Sequence, residues 1–159
     1  VIIIGIDPGS RICGYGLLET QKRSIIAAGC DAIDARSVID LQGRLAHMFT
    51  AIEAVVEEYK PDAAAVESLF YHKNIRSVLT LGQARGVILL ALARQNIPMV
   101  EYSPREVKKA VVGNGGATKQ QVRYMIDQMF KLTASSKPDD AYDALAIAVC
   151  HFNRIKFTL

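Results

Sequence analysis

The apolar residues of this chain fall first into short β-branched runs and later into helical stripes. Residues 1–7 are a Val/Ile-rich run closed by Pro8-Gly9. Residues 12–19 form a second run interrupted by Gly14 and Gly16, as in a strand packed tightly against its neighbours. A third run, 24–33, follows the polar turn Gln21-Lys22-Arg23, and so short a connection suits antiparallel pairing. A three-stranded meander is predicted. From 38 to 59 the period becomes helical, with Leu41, Leu45, Met48, Phe49, Ile52, Val55 and Val56 on one stripe until Lys60-Pro61 ends it. A buried strand at 63–67, a long helix at 74–94 and a short strand at 98–102 follow. Helices at 104–112, 118–130 and 138–154 complete the chain, with a loop at 113–116. Together these describe an α/β fold: a mixed five-stranded sheet, three antiparallel strands then two parallel, flanked by helices.

Composition narrows this picture. At 159 residues, half of them apolar, the chain can bury one real core, and a single domain over 1–159 is expected. Nineteen Lys and Arg against sixteen Asp and Glu give a net charge of +3, too mild to announce a nucleic-acid partner without a look at where the charges fall. Cys13, Cys30 and Cys150 form no CxxC pair, which disfavours disulfides and structural zinc and fits a reducing cytoplasm. The longest apolar runs, such as 87–93, stop well short of the roughly 20 residues of a membrane span, so a soluble protein is expected. Because the chain opens on Val1 rather than Met, trimmed termini are expected as well.

The chemistry-bearing positions lie at strand ends. Asp7 closes the first strand and Glu67 the fourth; if those strands run parallel and adjacent, about 4.8 Å apart, their carboxylates emerge together at one sheet edge. Asp140 and Asp143, three apart near the start of the last helix, share a helical face that could dock over that edge. Asp139 and Asp143 are also a same-face pair, so spacing alone does not choose between Asp139 and Asp140. Acidic residues at a helix start are what the macrodipole favours in any protein, and Asp7 before Pro-Gly could be a turn residue. Glu67 is harder to explain that way, because it follows Ala63-Ala64-Ala65-Val66 and burying a lone charge is costly. Four crowded carboxylates suit hard divalent cations, and two magnesium ions about 4 Å apart can activate water for phosphodiester hydrolysis with no covalent nucleophile. Neither GxSxG nor GxxxxGK occurs.

Five segments carry a likeness: GIDPGSRICGYG over 5–16, VESLF over 66–70, LGQARG over 81–86, YSPREVKKAVVGNGGATKQQV over 102–122, and DDAYDALAIA over 139–148. In joint order and spacing they resemble the bacterial RuvC family of crossover (Holliday) junction endodeoxyribonucleases from end to end. The resemblance implies an RNase-H-like fold, a bacterial cytoplasmic homodimer, and paired symmetric nicking of four-way junction DNA in recombination and repair, leaving 5′-phosphate and 3′-hydroxyl ends. It implies two Mg2+ ions per active site, with Mn2+ able to substitute, and the branch-migration motor proteins RuvA and RuvB as partners. It carries catalytic and metal-binding roles onto Asp7, Glu67, Asp140 and Asp143, its Asp-x-x-Asp-Ala-Leu pattern favouring Asp140 over Asp139. Two rivals are a junction-binding protein without chemistry and an actin-like phosphotransferase, whose Asp-x-Gly strand is shared but which needs two such domains.

Lys73, Arg76, Arg85, Lys108, Lys109, Lys119 and Arg123 fall in segments bordering the acidic edge, where they could contact phosphates; Lys108 and Lys119 lie in a segment that matches the family. Phe70 follows Glu67 closely and could stack on an unpaired base, or simply cap the core. Gly82 and Gly86, one turn apart in the second long helix, permit close approach of another helix, within the chain or across a dimer axis. His47 and His151 read as packing or surface residues, and His72 as at most a phosphate contact.

Overall fold

Strand β1 (Ile2–Asp7) is buried on both faces and is the hub of the sheet. The computed structural model describes residues 1–68, 74–132 and 137–156. Within them β1 pairs antiparallel with β2 (Ile12–Gln21), which pairs antiparallel with β3 (Ser24–Asp34). On its other side β1 pairs parallel with β4 (Ala63–Glu67), and β4 with β5 (Met99–Tyr102), giving the order β3-β2-β1-β4-β5. The period-2 alternation of β1 divides the core. Ile4 and Ile6 join Ala64, Val66, Met48, Ile52, Ile88 and Leu92 under α1 (Leu41–Tyr59) and α2 (Ile75–Arg94). Ile3 joins Ala65, Leu145 and Val149 on the opposite face, under α5 (Asp139–Lys156), which is braced by α3 (Pro104–Val112) and α4 (Lys119–Phe130).

Most differences from the expected boundaries have local causes. Asp40, Asn74 and Thr118 lie outside their helices because each caps one, its side chain accepting from the backbone N–H of Gly43, Ser77 and Gln121 respectively. The first helix therefore starts at Leu41 rather than at 38. The last runs to Lys156 rather than 154, since buried Phe152 and half-buried Ile155 continue its apolar face. Pairing through Gln21↔Ser24 lengthens the β2–β3 hairpin beyond the apolar runs.

A trough of glycine seats α5 on the sheet. Gly5 and Gly16 are cross-strand partners; a Cβ at Gly5 would fall 2.1 Å from the Ala144 carbonyl oxygen, and one at Gly16 would fall 2.4 Å from Leu145 Cα. Side chains at these positions would lift the helix away. Gly86, in contrast, has no described heavy atom beyond its own helix backbone within 4 Å of where a Cβ would stand. Among the described residues it thus serves no close intrachain approach. It lies on an exposed stripe of α2 with Ile75, Leu79 and Leu90.

Candidate active site

The last residues of β1 and β4 emerge side by side. Ile6↔Val66 is the final ladder pair, and one step further Asp7 and Glu67 both point, with Gly5 and Ala65, to the α5 face. Their carboxyls lie near enough for each to perturb the other. Asp7 faces Gly14 across the β1–β2 ladder, and Gly14 in turn lies beneath the first turn of α5, where Asp140 resides. Asp143, one turn on, projects into a cavity of about 190 Å³ with Asp7 and Glu67, whose further lining includes Pro104, Lys108 and Lys119. Asp140 does not line that cavity, but its charge reaches Asp7.

The electrostatics are those of a crowded acidic site. Burial, and then the negative charges of Glu67, Asp143 and Asp140, push the Asp7 carboxyl up to about 8. Glu67 is raised for the same reasons, burial first and Asp143 next. The buried Cys13 thiol is pushed up to about 12 by burial and by Asp7, which leaves it unreactive near neutrality. Partial relief comes from Lys119, whose ammonium donates to Asp143 Oδ2 at 3.0 Å and is held protonated by it.

Two capping boxes set the basic side of the cavity. Ser103 and Glu106 cap α3, which carries Lys108; Thr118 and Gln121 cap α4, whose first residue is Lys119. Gly113, at φ 84°, turns the chain between the two helices. Gly115 lies so close to Arg105 that a Cβ would stand 2.6 Å from the Arg105 Cγ. The loop at 113–116 thus brings Lys108 and Lys119 to one cavity.

The remaining expected residues scatter. Asp139 is ion-paired with Arg123, which also lies over the Tyr142 ring at 4.3 Å, so Asp139 is turned from the cavity and Arg123 is engaged within the fold. Arg76 lies exposed at the start of α2, in a different cleft, and Lys109 is exposed on α3. Phe70, His72 and Lys73 lie outside the described residues.

The expectation that Arg85 contacts phosphate fails. Arg85 is buried, its Nη2 pairs with Glu101 Oε1 at 2.8 Å, and its Nε donates to the Glu67 carbonyl oxygen at 3.4 Å. It ties α2 to the end of the strand that carries Glu67. On a one-dimensional helical pattern it reads as surface, because its partners come from β4 and β5. His151 is buried, hydrogen-bonded to the Tyr102 hydroxyl at 2.9 Å, while His47 is exposed.

Among the described residues no three Asp, Glu, His or Cys side chains are gathered as a preformed cage for an ion. The donors nevertheless fit a hard divalent cation in kind. All are carboxylate oxygens, and Asp7 is protonated near neutrality unless a positive charge offsets its neighbours.

Known proteins resemble this chain in sequence and fold. The model of the family described as crossover junction endodeoxyribonuclease RuvC matches residues 3–151. The protein of that name from Heliobacterium modesticaldum is 47% identical over 150 residues, 94% of this chain and 93% of the relative. That from Proteus mirabilis is 46% identical over 155 residues, 96% and 88% of the two chains. Among solved structures, T. thermophilus RuvC in complex with Holliday junction substrate superposes with a TM-score of 0.89 at 26% identity, covering 99% of this chain and 96% of that one.

Proposed function

This chain belongs to the crossover junction endodeoxyribonuclease RuvC family, and we propose that it resolves four-way DNA junctions at the Asp7, Glu67, Asp140 and Asp143 cluster. It is a DNA-cleaving hydrolase of the RNase-H-like fold. The observation that carries the assignment to these residues is the burial of Asp7 against Glu67 beneath the first turn of α5. A fold gains nothing in stability from pressing carboxylates together until a cation joins them. Asp7, Glu67, Asp140 and Asp143 would hold the metal, magnesium or manganese by donor type, with room in their charge for two ions. Bound there, such ions supply Lewis acidity to the phosphate and a water acidic enough to attack it.

The chain's own groups orient the substrate. Glu67 is held through its carbonyl by Arg85, and Asp143 through its carboxylate by Lys119. Lys108 and Lys119 border the cavity and would neutralise a phosphate lying over it, Lys119 from its place beside Asp143. No side chain is arranged as a covalent nucleophile among the described residues, and the product ends expected of hydrolysis are 5′-phosphate and 3′-hydroxyl. Phe70 and Lys73, on the segment after Glu67, remain proposed DNA contacts by their place in the sequence.

Paired nicks in a twofold-symmetric junction call for two sites related by the same symmetry, and an isologous homodimer supplies them. The exposed Ile75, Leu79, Gly86 and Leu90 stripe of α2 supports that helix as the interface. By family, the motor proteins RuvA and RuvB are proposed to deliver junctions to it in the bacterial cytoplasm.

Asp7→Asn tests the assignment. It should abolish junction cleavage in magnesium while junction binding persists, because it removes a ligand charge and no phosphate contact. Retained cleavage would refute this placement of the site.

A further inference from the structure

A second basic cleft lies at the catalytic end of the sheet, on the face away from α5. It encloses about 450 Å³ and is lined by Ser10, Arg11, Arg44, Arg76, Ser77 and Thr80 around the apolar Leu41, with no acidic residue. Ser10 and Arg11 sit on the turn that directly follows Asp7; Arg76 and Ser77 sit in the first turn of α2, the helix that follows β4 and Glu67. The cleft and the carboxylates are therefore built on the same two strand ends. The Lys108 and Lys119 cavity lies under α5 and this one beside α1 and α2, so basic clefts flank the acidic edge on both sides.

The three guanidiniums are placed by different means. Arg44 Nη1 donates to the carbonyl oxygens of Val38 at 3.2 Å and Ile39 at 2.7 Å, and its Nε is buried with no partner among the described residues. Arg11 and Arg76 are exposed, and neither has a carboxylate within ion-pairing distance among the described residues. Three cations converging without a counter-charge repel one another. Planar forks of this kind match phosphate oxygens in pairs, and the Ser10 and Ser77 hydroxyls add neutral donors. Sites that read phosphates rather than bases have this make-up.

We propose that Arg11, Arg44 and Arg76 form a phosphodiester-binding subsite that holds the DNA backbone away from the scissile bond, on the α1 and α2 side of the catalytic edge. The proposal rests on the junction-nuclease reading above. It assigns the cleft to backbone phosphates of the bound DNA, with free inorganic phosphate as the competing occupant.

The test is a binding titration of a fluorescent four-way junction with the full chain in metal-free buffer, repeated across a salt series. Wild type, the Arg11→Gln/Arg76→Gln double variant and the Arg11→Lys/Arg76→Lys double variant are compared, with melting curves as a check on folding. Arg44 is left in place because it also secures the 38–39 carbonyls. For the Gln pair, affinity at moderate salt should fall at least tenfold. The slope of log K against log salt should shrink by about 1.8, roughly 0.9 for each phosphate that is no longer neutralised. The Lys pair should keep most of the slope, which a merely structural role would not predict. Millimolar inorganic phosphate, at matched ionic strength, should weaken wild-type binding only slightly; strong competition that vanishes in the Gln pair would assign the cleft to free phosphate and overturn the proposal. So would a Gln pair that folds and matches wild type in affinity and slope. A wild type that cuts junctions in magnesium while the Gln slope is unchanged defeats the cleft alone, whereas a wild type that neither binds nor cuts defeats the nuclease reading and the cleft with it.

Discussion

Gly14 lies directly under Asp140: a Cβ built on Gly14 would stand 1.9 Å from the Asp140 carbonyl oxygen. Gly14 is also the cross-strand partner of Asp7. One missing side chain therefore fixes how near the first turn of α5 comes to the end of β1. Gly14→Ala should destabilise the fold by about 1–3 kcal/mol through overpacking. It should also slow single-turnover cleavage by about a hundredfold, since catalytic geometry tolerates little more than 1 Å of misplacement. Thermal melting and rapid-quench cleavage measure the two effects; near-normal cleavage would show that α5 need not sit so close.

Arg85 offers a second probe of positioning. Replacement by Met keeps the volume and removes a buried charge, so stability should change by no more than about 1–2 kcal/mol, while the end of β4 loses its tie. Cleavage should fall about tenfold and its magnesium midpoint should rise, with Arg85→Lys intermediate in both. A midpoint unchanged in Arg85→Met would reduce Arg85 to packing.

The raised Asp7 carboxyl sets a pH dependence with a definite sign. An unfolded aspartate titrates at about 3.9, whereas Asp7 in the fold titrates at about 8. Between those values the folded protein keeps a proton that the unfolded chain has released, so metal-free stability is greatest on the acid side and falls as pH rises through about 8. The melting temperature without metal should be lower at pH 8.5 than at pH 5.5 by roughly 5 °C or more. Asp7→Asn should flatten that difference and be no less stable than the parent at pH 8.5. Magnesium should restore more stability at pH 8.5 than at pH 5.5. A melting temperature that climbs from pH 5.5 to 8.5 without metal would contradict the buried, crowded site.

Assembly can be tested at Gly86. Gly86 is exposed and a Cβ there would meet nothing beyond its own helix backbone, so Gly86→Leu should fold normally and yet weaken self-association of α2 faces by tenfold or more in sedimentation. An unaltered association constant would move the interface elsewhere.

Sequence pattern made the architecture readable wherever a local rule governs. The β-branched runs, the shift to helical period after Val38 and the Lys60-Pro61 stop gave the element order, and Glu67 stood out as a charge ending an apolar strand. The glycines of β2 signalled close packing, although which element they receive is a tertiary fact. Asp139 and Asp140 could not be separated by helical spacing; what separates them in space is Arg123, sixteen residues away on α4. Arg85 and the Arg11–Arg44–Arg76 cleft were hidden for the same reason. Each depends on neighbours that only the folded sheet brings together.

On the function proposed above, these carboxylates, charged with a divalent metal, cut junctions. The most direct measurement is incubation of end-labelled four-way junction and a linear duplex of matching sequence with the full chain, with and without magnesium, on a gel that resolves each strand. Paired nicks are expected at symmetric positions in two strands of like polarity, on the junction alone and in magnesium alone, with products that a ligase reseals without prior treatment. Junction bound but uncut in magnesium, or duplex cut as readily as junction, would contradict that function.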